Sequence, residues 1–258
     1  MCFDADAHPP IPAVAGGALD SGRLTLTAAD GNTFAAFGAR AAGPTGAGIV
    51  ILPDVRGLFA YYEELALRFA EAGVSSVALD WFGRTAGVDH RGPEFEYMPH
   101  VRQATYAGLT ADATAAVEFL RSSAGGAPRS VFTVGFCFGG RVAFDTATLG
   151  LGLAGVIGFY GMPVGSRGDI PAPVDLVDQM ANPVLGLFGG ADPHITPEIV
   201  ADFETALGRA GVEHRIISYP DAPHSFFDRS YEEHAAASAD AWQQILAFIA
   251  MNTAPAAA

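Results

Sequence analysis

Cys137 is the residue of this 258-residue chain whose setting suits a nucleophile. It stands in Gly135-Phe136-Cys137-Phe138-Gly139-Gly140, after an apolar run and before a stretch of helical character. A nucleophile on such a tight strand-to-helix turn occupies strained backbone, and side chains two residues to either side would collide with strand and helix, so glycine is used there. The helix N-terminus favours thiolate, against a free-thiol pKa of about 8.5. The Phe138 N–H is placed to receive an oxyanion. The competing reading is a small buried hydrophobe between two phenylalanines, the usual fate of a lone cysteine.

A thiolate that attacks a carbonyl needs a histidine, and the histidine needs an orienting acid. In hydrolases with this turn the acid and then the histidine follow in loops after later strands. Asp192, in Gly189-Gly190-Ala191-Asp192, follows one apolar run, and His224, in Asp221-Ala222-Pro223-His224, follows the next. Asp221 competes as the acid but shares the loop of His224. His194 competes as the base but shares the loop of Asp192. Each residue alone would read as a loop polar group. The ordered set carries the chemistry.

Other chemistries are excluded by composition. The 14 basic residues are all arginine, so a Schiff-base lysine, a P-loop lysine and a Ser–Lys dyad are impossible. Net charge is −14, which opposes nucleic-acid and anionic-membrane surfaces. Two cysteines allow neither a disulfide framework nor a cysteine-based zinc site. The seven histidines show no metal spacing, and His90 and His100 read as loop residues, so no metal and no cofactor are expected. The N-terminus has no signal-peptide core, and no apolar run is long enough to span a membrane. The expectation is a cytoplasmic protein, a monomer or small homo-oligomer, with no membrane partner.

The elements that must hold these residues alternate. Strands are expected at 23–28, 33–40, 47–52, 74–79, 130–134, 153–159, 183–188 and 214–219. Helices are expected on the faces marked by Tyr62, Leu65 and Phe69, by Leu109, Ala113 and Val117, and from Gly139. Another is capped by Thr196, with Pro197 at its first position and Gly211 past its end, and the last opens at the capping box Ser230-Tyr231-Glu232-Glu233. Residues 82–99 and 162–181 read as irregular, and Glu63-Glu64 as a solvated helix face. Strands alternating with helices imply an α/β fold: one domain at 21–252, with a mostly parallel sheet covered on both faces. An irregular arm at 1–20 and a tail at 253–258 flank it. Such sheets place sites at the carboxyl ends of their strands. Trp81, Phe82 and Tyr160 are the expected pocket walls there.

With these motifs the chain closely resembles the dienelactone hydrolase family of α/β-hydrolases. The family's G-x-C-x-G-G elbow, G-G-x-D acid loop and G-H-S-F-like histidine loop read here GFCFGG, GGAD and PHSFF. The resemblance implies an α/β-hydrolase fold, with Cys137 as nucleophile, His224 as base and Asp192 as orienting carboxylate. It implies the N–H groups of Val55 and Phe138 as the oxyanion hole. The family keeps a glutamate after the third strand that holds the thiol neutral at rest and takes its proton when substrate binds. The matching residue is Asp54, one methylene shorter. The family also grips its substrate carboxylate with two arginines. Arg84 matches the first. The second matches position 228, which is Asp, with Arg229 one residue later. The implied substrate is a small, carboxylate-bearing ester or enol lactone. A general esterase for neutral esters is the alternative. A thiol redox or ligand sensor, with Cys2 as resolving partner, is a reading of another class.

Overall fold

The structure, a computed structural model, describes residues 7–14, 16, 18–228 and 231–256. Cys2, Arg229 and Ser230 lie outside the described residues. The most apolar runs form the middle of one sheet. In β3 (Ala47–Leu52), β4 (Ser75–Leu79), β5 (Ser130–Phe136), β6 (Gly155–Phe159) and β7 (Val184–Gly189) every residue is buried. Strands covered on both faces need such unbroken apolarity. β1 (Ala18–Thr27) and β2 (Thr33–Ala41) flank them on one side and β8 (His214–Tyr219) on the other, in the order β1-β2-β4-β3-β5-β6-β7-β8. β1–β2 and β2–β4 pair antiparallel, and the remaining pairs are parallel.

Helices fill the crossovers. α1 (Ala60–Glu71) and the last helix meet through Phe69 and Trp242, whose ring centroids are 4.8 Å apart. α2 (Gly83–Ala86) and α3 (Tyr97–Val101) are short turns within the segment expected to be irregular. α4 (Tyr106–Arg121) packs on β3 and β4 and beside α5 (Phe138–Thr146), the helix that leaves the elbow. α6 (Pro197–Ala210) ends at Gly211 in the left-handed conformation, as its stop signal requires. α7 (Ala235–Asn252) lies against β6 and β7. The sheet and its flanking helices form the expected α/β-hydrolase architecture.

Several expectations need correction. β1 begins at Ala18, not Arg23, because Ala18 to Gly22 pair with β2 across a register shift. A 3₁₀ helix at Pro173–Gln179 interrupts the segment expected to be irregular. α7 begins at Ala235 with His234 as its N-cap, and Tyr231, Glu232 and Glu233 of the expected capping box form turns before the helix. Glu63 and Glu64 are half-buried rather than solvated. Glu63 accepts from Arg23 at 2.7 Å and Glu64 from His8 at 2.7 Å, so both acids tie α1 to the N-terminal segment.

Candidate active site

The loops after β3, β4, β5, β6, β7 and β8 leave the sheet at one end, and they carry the expected site residues. At the β5 loop Cys137 adopts φ 54° and ψ −110°. The glycines explain how the turn closes. A Cβ at Gly135 would land on the Gly139 carbonyl, and one at Gly139 would strike the carbonyls of Leu52 and Pro53. Among the described residues, three of the four with positive φ other than glycine are Cys137, Tyr160 and Ser225, each in a loop of this end. Such strain persists only where surrounding structure over-determines it.

His224 is the hub of the cluster. Its Nδ1 lies 2.6 Å from Oδ2 of Asp192, and the imidazole also hydrogen-bonds Cys137. Burial disfavours the imidazolium, but the hydrogen bonds and negative charges of Asp192 and Cys137 outweigh it and lift the His224 pKa to about 10. Asp192 is held by its own loop: its Oδ1 accepts the N–H groups of His194 (2.8 Å) and Ile195 (3.2 Å). Burial pushes this carboxyl up, yet His224 and the two amides hold it below the ordinary carboxylate range. Asp192, His224 and Cys137 therefore form one continuous chain of hydrogen bonds. Asp221, the competing acid, takes no place in it. His194 contributes its backbone N–H to Asp192.

The loop after β3 faces the elbow because Leu52 pairs with Gly135. Asp54 is fully buried. Its N–H donates to the Tyr62 hydroxyl at 3.0 Å, and its Oδ1 accepts the Arg56 N–H at 2.7 Å, which tightens the turn carrying Val55. Trp81 closes this loop from the side, its Nε1–H donating to the Pro53 carbonyl at 2.9 Å while its ring meets Phe138 edge-on at 5.7 Å. Phe138, the first residue of α5, is thus walled in by Trp81.

Three placements depart from the sequence reading. Arg84 does not reach into this cluster with a free guanidinium. It donates to Asp30 at 2.5 Å and to Asp112 at 2.8 Å, clamping the β1–β2 turn to α4. Tyr160 is fully buried rather than a pocket wall. Its ring packs 4.9 Å from that of His224 and its hydroxyl donates to Asp228 at 2.8 Å. His100 is no free loop residue: it lies in α3 and stacks on Phe95 at 5.0 Å.

Other organising residues escaped the sequence reading. Asp80 accepts from the N–H groups of Leu58 and Phe82, both at 2.9 Å, and from Arg91 at 3.0 Å, binding the loops after β3 and β4 together. Asp228 anchors Tyr160 behind the histidine. Their only sequence signal is an acid directly after an apolar strand or inside an apolar loop, where a buried charge needs a partner. Among the described residues, no group of three or more His, Cys, Asp or Glu is arranged to hold a metal ion. None of the helices there is long and apolar enough to cross a membrane.

Comparison with known proteins agrees with this geometry. The sequence model of the Dienelactone hydrolase family matches residues 34–252. A Salmonella typhimurium protein named "Putative carboxymethylenebutenolidase" is 29% identical over 244 residues, covering 91% of this chain and 88% of the relative. The crystal structure of a "Putative Dienelactone Hydrolase" from Klebsiella pneumoniae superposes with a TM-score of 0.73 at 26% identity, covering 90% of this chain and 99% of that one. A dienelactone hydrolase-like promiscuous phosphotriesterase from metagenomic libraries shares the fold, with a TM-score of 0.72 at 22% identity over 91% of this chain and 99% of that one. With an elbow, an acid loop and a histidine loop at one end of an α/β-hydrolase sheet, the chain belongs to the dienelactone hydrolase family and is a carboxylic ester hydrolase.

Proposed function

We infer that Cys137 is the nucleophile of this hydrolase and that a small ester or lactone is cleaved through a thioester. The observation that carries the reading is the unbroken chain Asp192–His224–Cys137 on a strained elbow. A histidine raised to about 10 stays protonated at neutral pH and stabilises a thiolate beside it. The thiolate attacks the ester carbonyl carbon, and the carbonyl electron pair moves to oxygen. The N–H groups of Phe138 and Val55 receive that oxyanion. Collapse expels the alkoxide or enolate, which takes its proton from His224, and leaves an acyl-Cys137 thioester. The now neutral imidazole draws a proton from water as the water attacks the thioester. The acid product leaves and the thiolate–imidazolium pair is restored. Asp192 keeps the ring in one orientation throughout.

Asp54 is the thiol-modulating carboxylate in this reading, placed in the loop that pairs against the elbow. Its replacement by Asn should shift the pH profile of Cys137 alkylation. The thiol suits a reducing compartment. One observation favours the general-esterase alternative: Arg84, the arginine that matches the family's first carboxylate-binding position, is paired with Asp30 and Asp112. The test of the nucleophile is Cys137→Ala. Turnover of nitrophenyl and enol esters should vanish with unchanged circular dichroism. Hydrolysis at the wild-type rate would end the reading.

A further inference from the structure

Two consecutive tyrosines of α1, Tyr61 and Tyr62, are fully buried where phenylalanine would satisfy the packing. A buried phenol costs free energy unless its hydroxyl is paired. Both hydroxyls are paired, and each reaches a different loop of the site. Tyr61 donates to the carbonyl of Phe227, three residues after His224, at 3.1 Å. Tyr62 accepts the N–H of Asp54, the residue before Val55, at 3.0 Å.

Neighbouring positions on a helix point about 100° apart, so one helix can serve two loops. The loops themselves start far apart, since β5, β6 and β7 separate β3 from β8 in the sheet. The two tyrosine rings brace each other edge-on, with centroids 5.2 Å apart and planes at 83°. The Tyr62 ring also meets Phe136, the residue before Cys137, at 5.7 Å, and Phe136 stacks on Phe227 at 6.0 Å. Tyr61, Tyr62, Phe136 and Phe227 thus close a circuit in which every member is fully buried. Burial, and then the charges of Asp228 and Asp54, push the Tyr61 pKa well above the ordinary phenol value, so its hydroxyl remains a donor. The histidine loop has other anchors: Ser238 of α7 donates to the Phe226 carbonyl at 2.9 Å, and Tyr160 donates to Asp228 at 2.8 Å. α1 differs in reaching the loop after β3 as well.

We propose that Tyr61 and Tyr62 are positioning residues for the reaction: through α1 they hold the histidine loop and the oxyanion loop at one fixed spacing. The proposal rests on Cys137 as the reacting thiol, His224 as the base and the Val55 N–H as an oxyanion donor. Neither phenol takes a proton. Their work is geometric, because donors aimed at a developing oxyanion must be held close to the productive position, and a displacement of about 1 Å can cost about a hundredfold in rate.

The test uses Tyr61→Phe and Tyr62→Phe, each of which removes one oxygen and keeps the ring, with melting curves to report the fold. Three readouts follow the site: hydrolysis of 4-nitrophenyl acetate, the pH profile of Cys137 alkylation by iodoacetamide, and protection from that alkylation by trifluoroacetone. In the last, the sulfur bonds reversibly to the ketone carbon, and the carbonyl electron pair becomes an oxyanion for the Val55 and Phe138 N–H groups. Tyr61→Phe should move the alkylation midpoint up by about one pH unit, because a displaced imidazolium stabilises the thiolate less. Tyr62→Phe should leave that midpoint in place, since the Arg56 N–H still holds the Asp54 carboxylate at 2.7 Å. It should instead need about tenfold more ketone for half protection. Both variants should lower kcat by about tenfold with KM changed by less than about threefold. A lower melting temperature with all three site readouts unchanged would mean a purely structural role and overturn the proposal. So would an alkylation profile that moves in Tyr62→Phe and not in Tyr61→Phe. If the wild type cleaves no ester while the alkylation and ketone readouts still respond as stated, the hydrolase reading fails and the positioning role stands.

Discussion

Asp192 and Asp145 are the same residue type, both buried, and they lie in opposite electrostatic states. Asp192 accepts two backbone amides and the His224 ring, and its pKa is held down. Asp145, in α5 two turns after Cys137, has neither oxygen hydrogen-bonded, and burial pushes its pKa up to about 7 despite the charge of Arg141. Burial penalises a carboxylate in both places. What differs is the supply of donors: the Gly-Gly-Ala-Asp turn aims two N–H groups at its own side chain, whereas a residue inside a helix has its neighbouring amides already bonded to the helix. A working acid needs a loop that satisfies it before the histidine arrives. An acid in a helix interior has no such loop.

The largest effect that could break this comparison is on catalysis. Asp192→Asn keeps the shape but mis-sets the imidazole, and kcat/KM should fall by about 10³- to 10⁴-fold with the fold retained. Asp145→Asn should change kcat/KM by less than about threefold, since no reacting group touches it. If Asp145→Asn is the crippled variant, the assignment of roles is wrong. A second comparison sharpens it with stability. Asp112 is buried, with a pKa raised to about 6 by burial against the pull of Asn32 and Arg84. Arg84→Ala leaves that carboxyl without its guanidinium, and denaturant unfolding should show a loss of about 1–3 kcal/mol. A loss of substrate binding without any loss of stability would instead return Arg84 to the site.

The smallest effect is on pH dependence, and the two acids have opposite signs. A carboxyl raised to about 7 contributes stability that is present below its ordinary value and is lost as pH rises through about 7. Asp145→Asn removes that loss, so the variant should gain thermal stability over the wild type above pH 7 and show little gain at pH 5. Asp192, held low, contributes stability above its ordinary value that is lost as pH falls through its depressed pKa. Asp192→Asn should therefore cost most at neutral pH and least in strong acid. Melting curves from pH 3 to about 9 would show whether the two slopes cross as this linkage requires.

The Asp192–His224–Cys137 cluster was legible because each member follows an apolar run that could only be a buried parallel strand, and the glycines around Cys137 mark a turn that other residues cannot make. The central strands were legible for the same reason. What escaped the reading depends on partners distant in the chain. β1 starts five residues early because β2 supplies its hydrogen bonds, not because Ala18–Gly22 has any strand pattern. Asp228 carries no local sign that Tyr160, 68 residues away, will bond it. Arg84 was read from its matching motif, but Asp30 and Asp112 decide what its charge does.

The central claim is that Cys137 carries the acyl group between the two half-reactions. The direct measurement is acid-quenched mass spectrometry of the enzyme mixed with 4-nitrophenyl acetate within a single turnover. The account predicts an acetyl adduct on the Cys137 peptide that hydroxylamine removes at neutral pH, and none on the Cys137→Ala protein, which should also release no burst of nitrophenol. Burst release with no adduct on Cys137, or with the acetyl group on another residue, would contradict it.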